Sequence, residues 1–208
     1  MPLTDSLTNY RDAITEANSF ISLAFRRNRS RRYILSVSER AFITDSAFLK
    51  VFIAWETFIE DSFIQYMMGE LSILGNIVTR YVIPPNRQHA HSFVIGTLRY
   101  VDWSSPNIVR QLANLNFAPG NPFETYVGAI NQDLLDLKTI RNAAAHLSST
   151  TKPKLDALAA RKLGAAPVSA TVSMLLFSID PLAITPGDTI LTSYLNMLDV
   201  AAEGIANA

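Results

Sequence analysis

The chain of 208 residues contains no cysteine, which removes disulfides, thiolate metal ligands and a thiol nucleophile together. Histidine is nearly as scarce, with three copies, two of them close together at His89 and His91. A metal site built from histidines and carboxylates has little to draw on, and no cofactor is called for. Charge is sparse too: 17% of the residues are charged, eighteen basic against eighteen acidic. A net charge of zero makes no global field that would gather nucleic acid, so a polynucleotide would need a local patch. No apolar run approaches the length of a membrane span. The start, Met-Pro-Leu-Thr-Asp-Ser, lacks the basic region and apolar core of a secretory signal. These absences lead to the expectation of a cytoplasmic protein with no membrane partner.

What the chain has is apolar material, 49% of its residues. That is enough for one hydrophobic core, and one domain over 1–208 is the expectation. The periodicity is mostly helical. Leu3, Leu7, Tyr10, Ile14, Ala17, Ile21 and Ala24 recur at steps of three and four, predicting an amphipathic helix from Leu3 to near Phe25. The segment from Ser38 to Leu71 is apolar on most of its circumference, including Phe42, Ile53, Trp55 and Phe63, as befits a helix in the middle of a bundle. Pro84-Pro85 breaks the pattern. His89 and His91 fall in a loop after it, and Phe93–Trp103 is open between strand and helix.

Ser105-Pro106 reads as cap and first helical residue of a helix to near Asn116, and Asn121-Pro122 repeats that device. The helix that follows carries Phe123, Tyr126, Val127, Ile130, Leu134, Leu137 and Ile140. Thr151 and Pro153 open another, which Gly164 ends. Pro167–Pro181 is undecided. A last helix follows Pro186-Gly187-Asp188, with Asp188 as its cap. The architecture expected is all-α in the main, a bundle of about five to seven helices with an irregular insertion that has room for short strands.

Function speaks in one place, Ile140-Arg141-Asn142-Ala143-Ala144-Ala145-His146. Arginine, amide and imidazole lie within two turns, separated by alanines, the smallest good helix formers. Another surface can approach closely and meet three polar heads. A permanent forked cation beside a group that ordinarily titrates near neutrality suits phosphate chemistry. At about 100° per residue, Asn142 and His146 share a face, and Arg141 must bend to reach it. Cleavage of RNA by its own 2′-hydroxyl needs a base, a cation and an acid, but no metal. One chain offers one such histidine, so a two-fold homodimer would complete the site.

Arg141-Asn142-Ala143-Ala144-Ala145-His146 resembles the Arg-polar-x-x-x-His signature of the HEPN superfamily (higher eukaryotes and prokaryotes nucleotide-binding). The helix Phe52-Ile53-Ala54-Trp55-Glu56-Thr57-Phe58-Ile59-Glu60, the stretch Arg99-Tyr100-Val101-Asp102-Trp103-Ser104 and the turn Pro186-Gly187-Asp188 are similar to its ribonuclease L-like, plasmid-stabilisation-associated branch. The resemblance implies an HEPN-like helical domain and a metal-independent endoribonuclease leaving a 2′,3′-cyclic phosphate. It implies a toxin or anti-phage effector acting as a homodimer with a composite site, with an antitoxin or regulatory protein as a further partner. Carried over by position, Arg141 and His146 would be catalytic, and Asn142 the polar residue after the arginine.

Each residue also has a plainer reading. Cations at a helix C-terminus answer the dipole and the last carbonyls, which would account for Arg141 and His146 without catalysis. Glu56 and Glu60 share one apolar helix face, where a carboxylate is costly without a donor. Glu56 or Glu60 is expected to pair with Arg141 and aim it, with Glu56 the supporting residue chosen and a solvated edge the plainer reading for Glu60. The run Arg26, Arg27, Arg29, Arg31 and Arg32 reads equally as a grip on RNA phosphates and as a solvated loop. His89 and His91 read as a pair without function, and Trp55 as core. The alternative to the nuclease is a non-catalytic helical module for dimerisation or for binding a nucleotide or protein.

Overall fold

The computed structural model describes residues 2–97, 99–165, 167 and 169–208. Met1, Leu98, Ala166 and Val168 lie outside the described residues, and with them those positions of the two undecided stretches. Among the described residues there are eight α-helices: α1 (Leu3–Ala24), α2 (Val37–Met68), α3 (Arg87–Ile95), α4 (Pro106–Asn116), α5 (Asn131–Ala145), α6 (Thr151–Leu163), α7 (Val172–Phe177) and α8 (Ile190–Asn207). A π-helical turn, Phe123–Val127, precedes α5. Among the described residues only isolated β-bridges occur, at Arg27 and Tyr33, Arg80 and Phe117, and Ile179 and Thr189. The fold is all-α, with more helices than the periodicity resolved because α3 and α7 are short.

Several local expectations change. His89 and His91 lie on α3, not in a loop. Asn86, just past the proline pair, caps that helix by accepting the His89 backbone N–H at 2.8 Å. Residues two apart on a helix point to different sides, so the pair cannot close on one ion. Ser105 has the extended backbone of a cap but no side-chain capping bond. Asn121 Oδ1 accepts the Glu124 N–H at 2.9 Å and opens the π-turn, while α5 begins only at Asn131. The hydroxyl of Thr189, not Asp188, accepts the Thr192 N–H at the start of α8. The Phe93–Trp103 question resolves into helix to Ile95, and Pro167–Pro181 contains α7, capped by Thr171.

The residues group into two compact units. The first comprises 1–11, 54–135 and 197–208. Its core is aromatic: Phe63 has ring neighbours Phe117 and Phe123 at 5.0 Å and Trp103 at 5.4 Å. Tyr10 packs on Trp55 and Phe58 at 5.9 and 5.7 Å, which makes Trp55 a core residue as expected. Polar ties are built into the same unit. Tyr66 donates to the Ile205 carbonyl at 2.6 Å, and Arg11 forks onto Asp199 and reaches Glu203 at 2.6 Å.

The second unit comprises 12–53 and 136–196. Its core draws on Phe48, Phe52, Leu137, Ile140, Leu155, Leu158, Leu175 and Leu176, all buried. Phe25 lies 4.6 Å from Phe177. Phe42 and Ile53 on α2, expected inside, are 73% and 55% exposed. Apolar burial on α2 begins at Ala47, Phe48, Val51 and Phe52 and continues from Trp55 to Met67.

Candidate functional site

The later half of α5 belongs to the second unit and is anchored there by a carboxylate. Asp136 is 4% exposed, and a buried carboxylate is tolerated only when donors satisfy it. It has Arg161 at 2.5 Å, Lys162 at 3.7 Å and the Tyr194 hydroxyl at 3.4 Å. Lys162 also lies 4.8 Å over the Tyr194 ring. Leu137, Ile140 and Ala143 continue the inward face. Burial and charge together fix the rotation of α5 in its unit, and with it the direction of the residues that follow.

Arg141 and Asn142 come next, both half-buried. Arg141 Nη1 donates to Asn142 Oδ1 at 3.2 Å, so the guanidinium bends toward the face that Asn142 shares with position 146. Ala144 is half-buried and Ala145 exposed. The helix ends at Ala145, and His146 stands just beyond it. Its N–H still closes a helical bond to the Asn142 carbonyl at 2.9 Å. The His146 carbonyl accepts from the Thr151 hydroxyl at 2.6 Å. The same hydroxyl takes the Ser148 N–H at 2.9 Å, and Ser148 Oγ accepts the Thr151 N–H at 3.2 Å. Hydroxyls thus tie the turn into α6 and hold the histidine backbone. The imidazole is exposed, and no side-chain partner for it exists among the described residues.

Chemically, the tip of α5 offers a forked cation braced by an amide and a free imidazole that a phosphodiester could reach. Glu56 is half-buried on α2 in the first unit, whereas Arg141 belongs to the second.

The five arginines expected as a possible phosphate grip, Arg26, Arg27, Arg29, Arg31 and Arg32, are all exposed. They sit in a tight hairpin rather than an open loop. Asn28 Oδ1 accepts the N–H groups of Ser30 and Arg32 at 2.9 and 3.1 Å. Arg31 takes a left-handed φ of 59°, a conformation uncommon outside glycine. Arg27 lies 4.4 Å over Tyr33 and donates to its hydroxyl at 2.7 Å.

The reading of the sequence missed Asp136, whose partners are far along the chain, and it missed the approach of His91 to Glu60. His91 Nδ1 is 3.3 Å from Glu60 Oε1, so Glu60 is not simply a solvated edge. The helical spacing of Glu56 and Glu60 gave a signal for a carboxylate seeking a donor, but not for which donor. Comparison of the chain with protein-family models, with curated proteins and with solved structures found no match.

Proposed function

We propose that the protein is a metal-independent endoribonuclease of the HEPN type, acting as a homodimer in which two copies of the α5 tip share one scissile phosphate. The observation that carries the reading is the tip itself: Arg141 turned onto Asn142, with an exposed, unpartnered His146 one turn away. One imidazole takes the proton of the 2′-hydroxyl, and the freed oxygen attacks the adjacent phosphorus. The P–O5′ bond breaks as the other protomer's imidazolium gives its proton to the leaving oxygen. The products are a 2′,3′-cyclic phosphate and a free 5′-hydroxyl. Arg141 from each protomer neutralises the equatorial oxygens as charge builds. The hairpin arginines would hold flanking phosphates, with affinity falling as salt rises. A role as toxin or anti-phage effector, restrained by an antitoxin or regulatory protein, belongs to the same proposal.

The test is cleavage of single-stranded RNA by the purified protein in EDTA. Wild type should give 2′,3′-cyclic phosphate ends. His146→Ala should lower the rate by about 10²–10⁴-fold at unchanged folding, and Arg141→Ala by about 10²–10³-fold. A well-folded wild-type dimer that leaves RNA intact would instead favour the non-catalytic binding module.

A further inference from the structure

The first unit contains a half-open cavity of about 150 Å³ outside the α5 tip. Val94 and Val101, both buried, and the half-buried Trp103 form its apolar side. Glu60 of α2 and His91 of α3 supply its polar side, 3.3 Å apart. The neighbouring pair Arg87 and Asp61 fastens the same two helices. Arg99, exposed, also lines the cavity. Its guanidinium has no hydrogen-bond or ion-pair partner among the described residues.

These features specify a ligand. A cavity near 150 Å³ accommodates one six-membered ring, and walls of valine and tryptophan favour a flat one. A carboxylate only accepts, so the ring edge meeting Glu60 must donate. His91 engages one oxygen and keeps the carboxylate oriented, with acceptor capacity left on both oxygens. Guanine presents two adjacent donors, N1–H and the exocyclic N2 amino group, in step with the two oxygens of a carboxylate. Adenine and cytosine present one amino group each on that edge, and uracil a single N–H. An unpartnered guanidinium on the rim is a forked donor suited to a phosphate.

We propose that this cavity binds a guanine nucleotide, with the pyrimidine half of the base against Glu60 and its phosphate on Arg99. The proposal stands apart from the nuclease reading, since Arg141 and His146 belong to the other unit. The same chemistry comes from a free nucleotide or from an unstacked guanosine in a strand.

Titration calorimetry on the full chain tests it with 5′-GMP, IMP, AMP, guanosine and inorganic phosphate as probes. The expected result is saturable binding of GMP at one per protomer. IMP, which lacks the exocyclic amino group, should bind at least about ten-fold more weakly. Glu60→Gln should weaken GMP about ten- to a hundred-fold. Arg99→Ala should weaken GMP about ten-fold and leave guanosine unchanged, and His146→Ala should bind GMP as wild type does. Thermal melts confirm that the variants fold, and the GMP–IMP comparison needs no variant at all. Absence of saturable GMP binding, equal affinity for GMP, IMP and AMP, or binding of phosphate alone as tight as GMP overturns the proposal. A deoxy-oligoadenylate with one central guanine then assigns the source. Binding tighter than GMP points to a strand, and binding weaker than GMP to the free nucleotide.

Discussion

Asp45, half-buried on α2, has a carboxylate oxygen that is enclosed without a hydrogen-bond partner among the described residues. Burial penalises its charged form and pushes its pKa up to about 6 from an ordinary 3.8. The folded value exceeds the unfolded one, so the folded state holds the proton more tightly. Stability from this group is complete below about pH 3.8 and is lost as pH rises through about 6. Asp45→Asn should match wild type near pH 3.8 and gain on it up to pH 7. The gain should reach about 1 kcal/mol once solvent around the carboxylate is allowed for, read from urea midpoints across that range. Asp136 presents the opposite case, a buried carboxylate fully engaged by cations. Asp136→Ala removes the buried carboxylate that Arg161 and the 15%-exposed Lys162 share, and should cost about 3 kcal/mol. The urea midpoint reports that loss. RNA cleavage by the folded fraction should fall as well, because the rotation of α5 is no longer held.

At the scale of elements, α8 approaches the π-turn through Gly204. A β-carbon there would lie 2.3 Å from the Tyr126 ring, so Gly204→Ala should destabilise by about 2 kcal/mol through overpacking. Pairing it with Tyr126→Ala should recover part of the loss, as thermal melts of the single and double variants would show. Which elements were readable follows from how local their causes are. Helices α4 and α6 announce themselves through Ser105-Pro106 and through Thr151 and Gly164, whose backbone needs are met within a few residues. Gly164 indeed takes a positive φ of 71° at the end of α6. The nine-residue α3 was hidden because its polar run, Arg87 to Ser92, carries no apolar period; Asn86 after two prolines was the one legible sign. The π-turn has no pattern distinct from an α-helix and could not be foreseen. The α5 tip was visible because Arg141, Asn142 and His146 are neighbours in the chain. Asp136 with Arg161, and Glu60 with His91, were not, since each pair meets only when distant helices pack.

For the molecule as a whole, the proposed composite site makes activity a property of two copies. Specific cleavage activity should therefore fall when the protein is diluted below its dimerisation constant, with sedimentation velocity reporting the same midpoint. Activity per protomer that stays flat into the monomer range would assign the chemistry to a single copy. Among the described residues no helix is long and apolar enough to cross a membrane. The absence of cysteine has a practical reach here. Ala145 is exposed beside His146, and Ala145→Cys would carry the only thiol of the chain. A spin label on that thiol would turn the α5 tip into a molecular ruler, and a narrow dipolar distance between labels in a frozen sample would measure how closely two tips meet.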